Sequence, residues 1–361
     1  MQLADLDGTT KEELAYKVAQ LVLRDGKSIA DTAAELNKGQ GEMLSRQNIY
    51  KLLQHAVAAN HVRFVPLAKD GLKKKLLDRF RLDEEELHVI YDSDDVPRKA
   101  AELVHKHMQE IKYLPRYFKE HPIGIGLGPG GATADVALHL SAHLERDAYP
   151  GRIHLFALTG GGPANRPSSS PISFFNMFSD DCAKTALFAP SLVTQGQFDE
   201  MKDHPGVKEV FDAKNEDRIT IVVTAMGDAP TRKDIKNNKI DDLLSQALHD
   251  RDPDELDKLI NRGYVANVQY RPFDGDGNPI MEESPDDYRA ATVLELEDLV
   301  EMVDRKHKLI VLMARNKKPE SMIPILNASR EKRLFSTVVL DMQTAQGVEN
   351  YYKIMEKSPD A

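Results

Sequence analysis

The sequence lacks the features that mark several large classes of protein. Its 361 residues include one cysteine, Cys182, which excludes an internal disulfide and a cysteine-rich zinc site. No apolar run approaches the ~20 residues that a membrane-spanning helix needs. The first ten residues are acidic and polar, without the basic and then apolar pattern of a signal peptide. We therefore expect a cytoplasmic protein with no membrane partner.

The composition is that of a folded protein, with 41% apolar and 29% charged residues. Disorder as the main state is excluded, because enough apolar side chains are present to form a core. At about 100–200 residues per domain, the length predicts two domains.

Charge is divided unevenly along the chain, whose formal net charge is −10. Residues 1–81 carry 14 Lys and Arg against 10 Asp and Glu, whereas the remainder carries 34 against 48. This asymmetry is expected when one segment meets an anion and the other does not. The alternative is chance, because a segment of this length often carries a small net positive charge.

Three helices are predicted near the N-terminus. Apolar residues at helical spacing predict helices over 12–24 and 28–36, with Ser28 as the N-cap of the second. A polar, glycine-containing connection at 37–43 leads to a third helix over 46–59. Two short helices followed by a third in this order indicate a helix-turn-helix.

The third helix begins with polar residues that suit DNA recognition. In a helix-turn-helix the N-terminal end of the last helix meets base edges in the major groove. Arg reads guanine there, and Gln or Asn reads adenine, through paired hydrogen bonds. The candidate DNA-binding residues are Ser45, Arg46, Gln47, Asn48, Tyr50 and Lys51. Residues 62–66 read as the short strand of a winged variant. The alternative is an ordinary three-helix domain with a solvated polar face.

After about Leu82, short β-rich runs alternate with helical stretches. The predicted strands lie at 88–91, 123–126, 153–157, 219–224, 309–313 and 337–340, and the predicted helices include 98–112 and 133–144. Near-continuous apolar strands that alternate with helices predict an α/β fold with a doubly wound parallel sheet. Ligands of such sheets bind at the carboxyl ends of the strands.

Two glycine-rich loops follow neighbouring strands of this predicted sheet. In the first, Gly130 and Gly131 let the backbone approach an anion, and the next helix directs its N–H groups towards it. Thr133 adds a hydroxyl, so a phosphate group is the natural occupant; the alternative is a tight turn without a ligand. The second loop, residues 160–166, ends at Arg166, which is able to pair with the same phosphorylated molecule.

No cofactor and no metal site is predicted. Gly126, Gly128 and Gly131 fit the spacing of a dinucleotide fingerprint, but the next strand ends without the acidic residue that this fingerprint requires. Residues 274–278 are similar to the start of an EF-hand loop. Because Pro279 stands where its glycine belongs, a turn between strands is expected instead.

These segments resemble the SorC/DeoR-type family of bacterial sugar-responsive transcriptional regulators, in the same order along the chain. The similar segments are the recognition helix at 45–53, the leucine and phenylalanine run at 77–82, the strand and phosphate loop at 123–133, the proline-containing signature at 188–193, the glycine-led hairpin at 263–280 and the last two strands at 309–326 and 339–341.

The resemblance implies a helix-turn-helix domain over residues 1–68. It also implies an effector and oligomerisation domain of the sugar-phosphate isomerase type over residues 69–361. Operator DNA and a phosphorylated sugar are the implied partners, and the implied assembly is a homo-oligomer, usually a tetramer. The two glycine loops and the family's pattern give the candidate effector-binding residues Gly130, Gly131, Ala132, Thr133, Gly161, Gly162, Arg166, Asp274 and Lys318.

The sequence departs from the family's pattern in three places. The connection at 37–43 is longer, the run at 226–229 replaces a glycine-flanked strand end, and Arg315 and Asn316 stand where two glycines are expected.

Two other functions stay open. The same fold would suit a sugar-phosphate isomerase or deaminase, whose general base would be Asp228 or Asp274. The second of these functions is that of a metabolite-binding module that has lost DNA contact. The N-terminal helices favour the regulator, because a metabolic enzyme has no need of them.

Overall fold

The computed structural model describes residues 8–38, 44–58, 62, 70–111, 122–147, 152–162 and 166–357. The chain divides into two compact units, Met1–Leu67 and Ala68–Ala361.

The N-terminal unit contains the three predicted helices. They are α1 (Gly8–Ala19), which continues into a π-helical turn (Gln20–Arg24), α2 (Ile29–Leu36) and α3 (Arg46–Ala58). Val18 of α1 and Ile49 and Leu52 of α3 are fully buried in one shared core. Apolar residues at helical spacing therefore place one face of each helix against the others.

Side-chain caps fix where two of these helices begin, and the cap at Ser28 is the predicted one. The Ser28 hydroxyl accepts a hydrogen bond from the Asp31 N–H at 3.1 Å, and Ser45 accepts one from the Asn48 N–H at 3.2 Å. Each satisfies an N–H group that the first helical turn leaves unpaired. Residues 63–66, most of the predicted wing strand, lie outside the described residues.

The second unit is built on a sheet whose seven parallel strands run in the order β1, β11, β10, β6, β2, β3, β4. The strands of the unit are β1 (Leu87–Ile90), β2 (Ile123–Leu127), β3 (Ile153–Ala157), β4 (Ala183–Ala186), β5 (Leu192–Thr194), β6 (Ile221–Asp228), β7 (Ala266–Val268), β8 (Arg271–Phe273), β9 (Tyr288–Ala290), β10 (Leu309–Ala314) and β11 (Thr337–Asp341). The predicted parallel α/β sheet is confirmed.

Helices cover both faces of this sheet. The helices of the unit are α4 (Asp70–Phe80), α5 (Val96–Ile111), α6 (Gly131–Arg146), α7 (Pro171–Phe174), α8 (Gln195–Met201), α9 (Pro205–Asn215), α10 (Arg232–Lys236), α11 (Leu243–Arg251), α12 (Pro253–Asn261), α13 (Leu296–Val303), α14 (Pro319–Asn327) and α15 (Met342–Lys357). Successive residues of a strand enter opposite cores: Val338 and Leu340 pack in one apolar cluster and Val339 in the other. This burial on both faces explains the continuous apolar strands of the sequence.

An antiparallel hairpin extends the sheet beside β6. Strand β7 pairs with the end of β6, where Met226 lies opposite Val268, and with β8. The two residues between β7 and β8, Gln269 and Tyr270, have φ angles of +55° and +60°. The pairing carries β6 to Asp228, beyond the predicted end of that strand.

Candidate functional site

A cavity of about 860 Å³ lies at the carboxyl ends of β2, β6 and β10. Because the three strands are parallel, the loops that follow them meet at one edge of the sheet. Its wall includes residues 129–132 after β2, residues 225–230 at the end of β6 and residues 315–318 after β10. The cavity thus lies at the strand ends, where the sequence predicts a ligand.

The N-terminus of α6 forms one wall of the cavity. Gly130 has a φ angle of +105° and a ψ angle of 159°, a conformation that favours glycine. No described side chain caps this end of the helix, and its first residues, Gly131 and Ala132, line the cavity. A Cβ atom added at Gly131 would meet nothing within 4 Å, so the backbone is open to a ligand there. Uncapped N–H groups and the helix dipole favour an anion at this point.

Thr133 does not line this cavity. Its side chain is fully buried, and its hydroxyl donates to the Pro129 carbonyl at 3.3 Å. Threonine in a first helical turn commonly makes such a bond to the backbone four residues earlier. The predicted hydroxyl contact with a phosphate is therefore not formed by the arrangement described.

The loop after β10 brings basic side chains to the cavity and is held by several hydrogen bonds. The Lys317 N–H donates to Thr344 Oγ1 at 2.9 Å, and the Lys318 N–H donates to Asp228 Oδ2 at 3.3 Å. Lys318 Nζ donates to the Ala229 carbonyl at 3.0 Å. This bonding fixes the backbone that carries Arg315, Lys317 and Lys318, all of which line the cavity.

Acidic groups also line the cavity. Burial raises the pKa of Asp228, whose Oδ1 is buried without a hydrogen-bond partner among the described residues. Asp242 accepts hydrogen bonds from Asn267 Nδ2 at 2.9 Å, from the Tyr264 hydroxyl at 3.0 Å and from the Ser245 N–H at 2.8 Å. The basic cavity residues are Arg166, Lys239, Arg315, Lys317 and Lys318, and the acidic ones are Asp228, Asp234, Asp241 and Asp242.

The hairpin turn between β7 and β8 places polar groups beside the cavity. Tyr270 lines it and is only 6% exposed, and its hydroxyl has no partner among the described residues. Gln269 is fully buried, and neither its Nε2 nor its Oε1 has a described partner. A two-residue hairpin turn with positive φ at both positions usually takes Asn or Asp and then Gly. Bulky residues in this conformation cost free energy and occur most often near functional sites.

Of the other candidate effector residues, some line the cavity and some do not. Arg166 lines the cavity, and its Nη1 donates to the Asp241 carbonyl at 3.3 Å. Gly161 and Gly162 do not line it: the Gly161 N–H donates to the Ala189 carbonyl at 2.9 Å, which draws that loop away. Asp274 is also elsewhere, in a turn after β8 where its Oδ1 accepts hydrogen bonds from two backbone N–H groups of that turn.

The cavity therefore brings together some of the predicted effector residues and further residues that were not predicted. Gly130, Gly131, Ala132, Arg166 and Lys318 line the cavity together. Asp228, Arg315 and Lys317 were not predicted as effector residues, although the strand-end rule would have pointed to them. Lys239, Asp241 and Asp242 lie between α10 and α11, and no sequence signal marks them as cavity residues.

A polar surface lies along α3 in the N-terminal unit. Ser45, Arg46, Gln47 and Lys51 are exposed, Asn48 is half-buried, and Tyr50 is 57% exposed. Gln47, Tyr50 and Lys51 occupy the side of α3 opposite the buried Ile49, Leu52 and Ala56. Arg46 and Asn48 lie at the two edges of that side. All six candidate DNA-binding residues therefore stand at or near one open face.

Within the described residues there is no group of three or more His, Cys, Asp or Glu side chains placed to hold a metal ion. Likewise, no described helix is long and apolar enough to cross a membrane.

Comparison with known proteins gave matches to structures only. No family model matches the sequence, and no curated protein sequence matches it. The fold is similar to that of the full-length sorbitol operon regulator SorC from Klebsiella pneumoniae, with 15% identity, a TM-score of 0.59 and coverage of 95% of this chain and 99% of that one.

Two further solved structures match the larger part of the chain. A DeoR family transcriptional regulator from Listeria monocytogenes has 16% identity, a TM-score of 0.53 and coverage of 78% of this chain and 99% of its own. A protein from Vibrio fischeri, described as the sugar-binding domain of a transcriptional repressor, has 18% identity, a TM-score of 0.54 and coverage of 79% and 100%. The fold resemblance to SorC and DeoR regulators is confirmed.

Proposed function

We propose that this protein is a DNA-binding transcriptional regulator of the SorC/DeoR type, controlled by a phosphorylated sugar in the cavity of the second unit. The observation that carries the proposal is the uncapped N-terminus of α6, which faces a cavity lined by Arg166, Lys317 and Lys318. Helix N–H groups and basic side chains together suit a phosphate group. The structural neighbours are regulators, and one is described as a sugar-binding domain.

The open face of α3 is the proposed operator contact. Arg46 and Gln47 are exposed in its first turn, where a recognition helix meets base edges. We propose that the assembly on DNA is a homotetramer in the cytoplasm, and sedimentation equilibrium would measure that state.

The mechanism requires that the sugar phosphate bind one arrangement of the regulator more tightly than the other. Only such a difference in affinity shifts the equilibrium between the arrangements and so alters operator binding. The phosphate anchors the ligand at α6, while Asp228, with its unpartnered Oδ1, offers an acceptor for a sugar hydroxyl.

The first experiment is selection of fragmented genomic DNA on the purified protein at near-physiological salt, followed by titration of the recovered fragment with a panel of sugar phosphates. We expect one enriched locus whose binding one compound alters. Arg46→Ala should cost about 1–3 kcal/mol at one operator position. Lys17→Ala, which removes the same charge from an exposed site on α1, is the matched control.

A second variant tests the effector site alone. Gly131→Glu places a carboxylate where the phosphate would sit, and a negative charge at a helix N-terminus does not disfavour folding. We expect unchanged operator affinity and loss of the response to the sugar phosphate. Binding without sequence preference that only weakens as salt rises would contradict the regulator.

An isomerase is the second candidate function, favoured by the raised pKa of Asp228 at the cavity wall. A buried carboxylate of that kind suits a general base. Turnover of a sugar phosphate by the wild-type protein, lost in Asp228→Asn, would establish the enzyme in place of the regulator.

A further inference from the structure

Arg315 lies between the cavity and two carboxylates. It lines the cavity, and its Nη1 is 3.7 Å from Asp94 Oδ1 and 3.6 Å from Asp135 Oδ2. Asp135 belongs to α6, four residues after Gly131. Arg315 is therefore beside the helix N-terminus at which the proposed function places a phosphate group.

The ion pairs that hold Arg315 are weak. Both distances exceed hydrogen-bonding distance, and the Asp94 and Asp135 side chains are 88% and 52% exposed. Exposed pairs of this kind contribute about 0–1 kcal/mol. A phosphate group, by contrast, accepts two parallel charge-assisted hydrogen bonds from one guanidinium. The two ion pairs are therefore weak enough for an anion at α6 to compete with them for Arg315.

Tyr270, which also lines the cavity, carries a polar group that is unpartnered within the described part of the chain. Its side chain is 94% removed from solvent, since only 6% is exposed, yet its hydroxyl has no partner among the described residues. Leaving a buried donor unpaired costs about 1–3 kcal/mol, a cost that a hydrogen-bonding ligand removes.

We propose that Arg315 is the principal anion-recognising side chain of the cavity, transferred on binding from Asp94 and Asp135 to the ligand's phosphate group. The proposal rests on the proposed function and names the residue that determines specificity for a phosphate ester over an uncharged sugar. It also assigns a role to the two carboxylates, which weaken binding by competing for the guanidinium.

The test is thermal denaturation of the full chain against increasing inorganic phosphate, and against a panel of aldose and ketose phosphates, with chloride at matched ionic strength. A ligand that binds only the folded state raises the midpoint by an amount that grows with the logarithm of its concentration relative to its Kd. Arg315→Gln should weaken phosphate binding about tenfold or more. Arg305→Gln is the control, since Arg305 pairs with Asp217 and does not line the cavity.

The carboxylates give the sharper test, because their removal should improve binding. Asp135→Asn should tighten phosphate binding several-fold, whereas Glu145→Gln, which removes the same charge further along α6, should not. In the Arg315→Gln background, Asp135→Asn should give no gain. A gain that persists there would mean that Asp135 acts by direct repulsion, and the proposed transfer of Arg315 would be wrong.

The outcomes separate this proposal from the proposed function. If Gly131→Glu abolishes phosphate binding but Arg315→Gln binds as the wild type does, the phosphate site stands and the role of Arg315 is overturned. If no phosphate compound stabilises the wild-type protein, both are overturned. Loss of binding in Arg315→Gln together with the gain in Asp135→Asn supports both.

Discussion

His88 shows how one side chain links the stability of the second unit to pH. It lies on β1 at the edge of the sheet, and its Nε2 is buried without a described partner. Burial lowers the pKa of His88 to about 4 from its ordinary value of 6.5. The folded state therefore resists protonation, and the stability that His88 contributes above pH 6.5 is lost as the pH falls towards 4.

A His88→Gln variant should remove this part of the acid sensitivity. Between pH 7.5 and pH 4.5, the wild type should lose about 1 kcal/mol more of its free energy of unfolding than the variant does. The loss should be smaller than the lowered pKa alone would give, since the ring is half-buried and water screens its charge. Urea unfolding at both pH values measures the difference. Equal losses in the two proteins would show that another group titrates there.

At the scale of single residues, the sequence identified the backbone of the site better than its side chains. Gly130 and Gly131 line the cavity, as predicted, because they lie between a parallel strand and the helix that follows it. Thr133 does not line the cavity, because its hydroxyl bonds to the Pro129 carbonyl in the loop before its helix. Arg315 was recognisable only as a departure from the family's pattern, since the sequence gives no distance between it and α6.

One side chain, that of Asn37, holds together the two ends of the connection between α2 and α3. The Asn37 Nδ2 donates to the Leu44 carbonyl at 3.1 Å, and its Oδ1 accepts from the Leu44 N–H at 2.6 Å. One side chain thus joins the two ends of a connection whose residues 39–43 lie outside the described part of the chain. Leu44 is itself buried in the core shared by α1 and α3.

We expect Asn37→Ala to lower the free energy of unfolding of the N-terminal unit by about 1–3 kcal/mol, because the Leu44 N–H and the Leu44 carbonyl each lose a hydrogen bond. Operator affinity should fall with it, since Leu44 directly precedes the N-cap of α3. Circular dichroism melting and operator titration measure the two effects. Gln54→Ala, at an exposed position of α3, is the control. Unchanged melting in Asn37→Ala would show that the connection does not depend on this side chain.

Elements were predictable where they bury a regular face. Strands β3 and β10 and helices α5 and α6 lie within a few residues of their predicted bounds, because their apolar spacing is long and regular. Strands β4, β5 and β9 were missed from spacing alone, since three or four residues give no period to read. The turn of the β7–β8 hairpin also escaped, because Gln269 and Tyr270 replace the usual turn residues and tertiary contacts hold them.

On the scale of the whole molecule, two sets of apolar contacts stabilise two units. Among the residues that the structure describes, the core of the N-terminal unit, which includes Val18, Ile49 and Leu52, shares no member with the clusters that cover the large sheet. Order along the sequence was enough to predict both a helical unit and an α/β unit. It could not predict which side chains of the α10–α12 region face the cavity, because that depends on how separate segments pack together.

Because the cores are separate, calorimetry of the full chain should show two unfolding transitions rather than one. Leu52→Ala, which truncates a fully buried side chain, should cost about 2–5 kcal/mol and lower only the transition of the N-terminal unit. A phosphorylated sugar at about one hundred times its Kd should add about 2.7 kcal/mol to the other unit and raise only that transition. If Leu52→Ala and the sugar phosphate both shift one single transition, the two units unfold together. The coupling between effector and operator would then pass through one cooperative structure rather than between two.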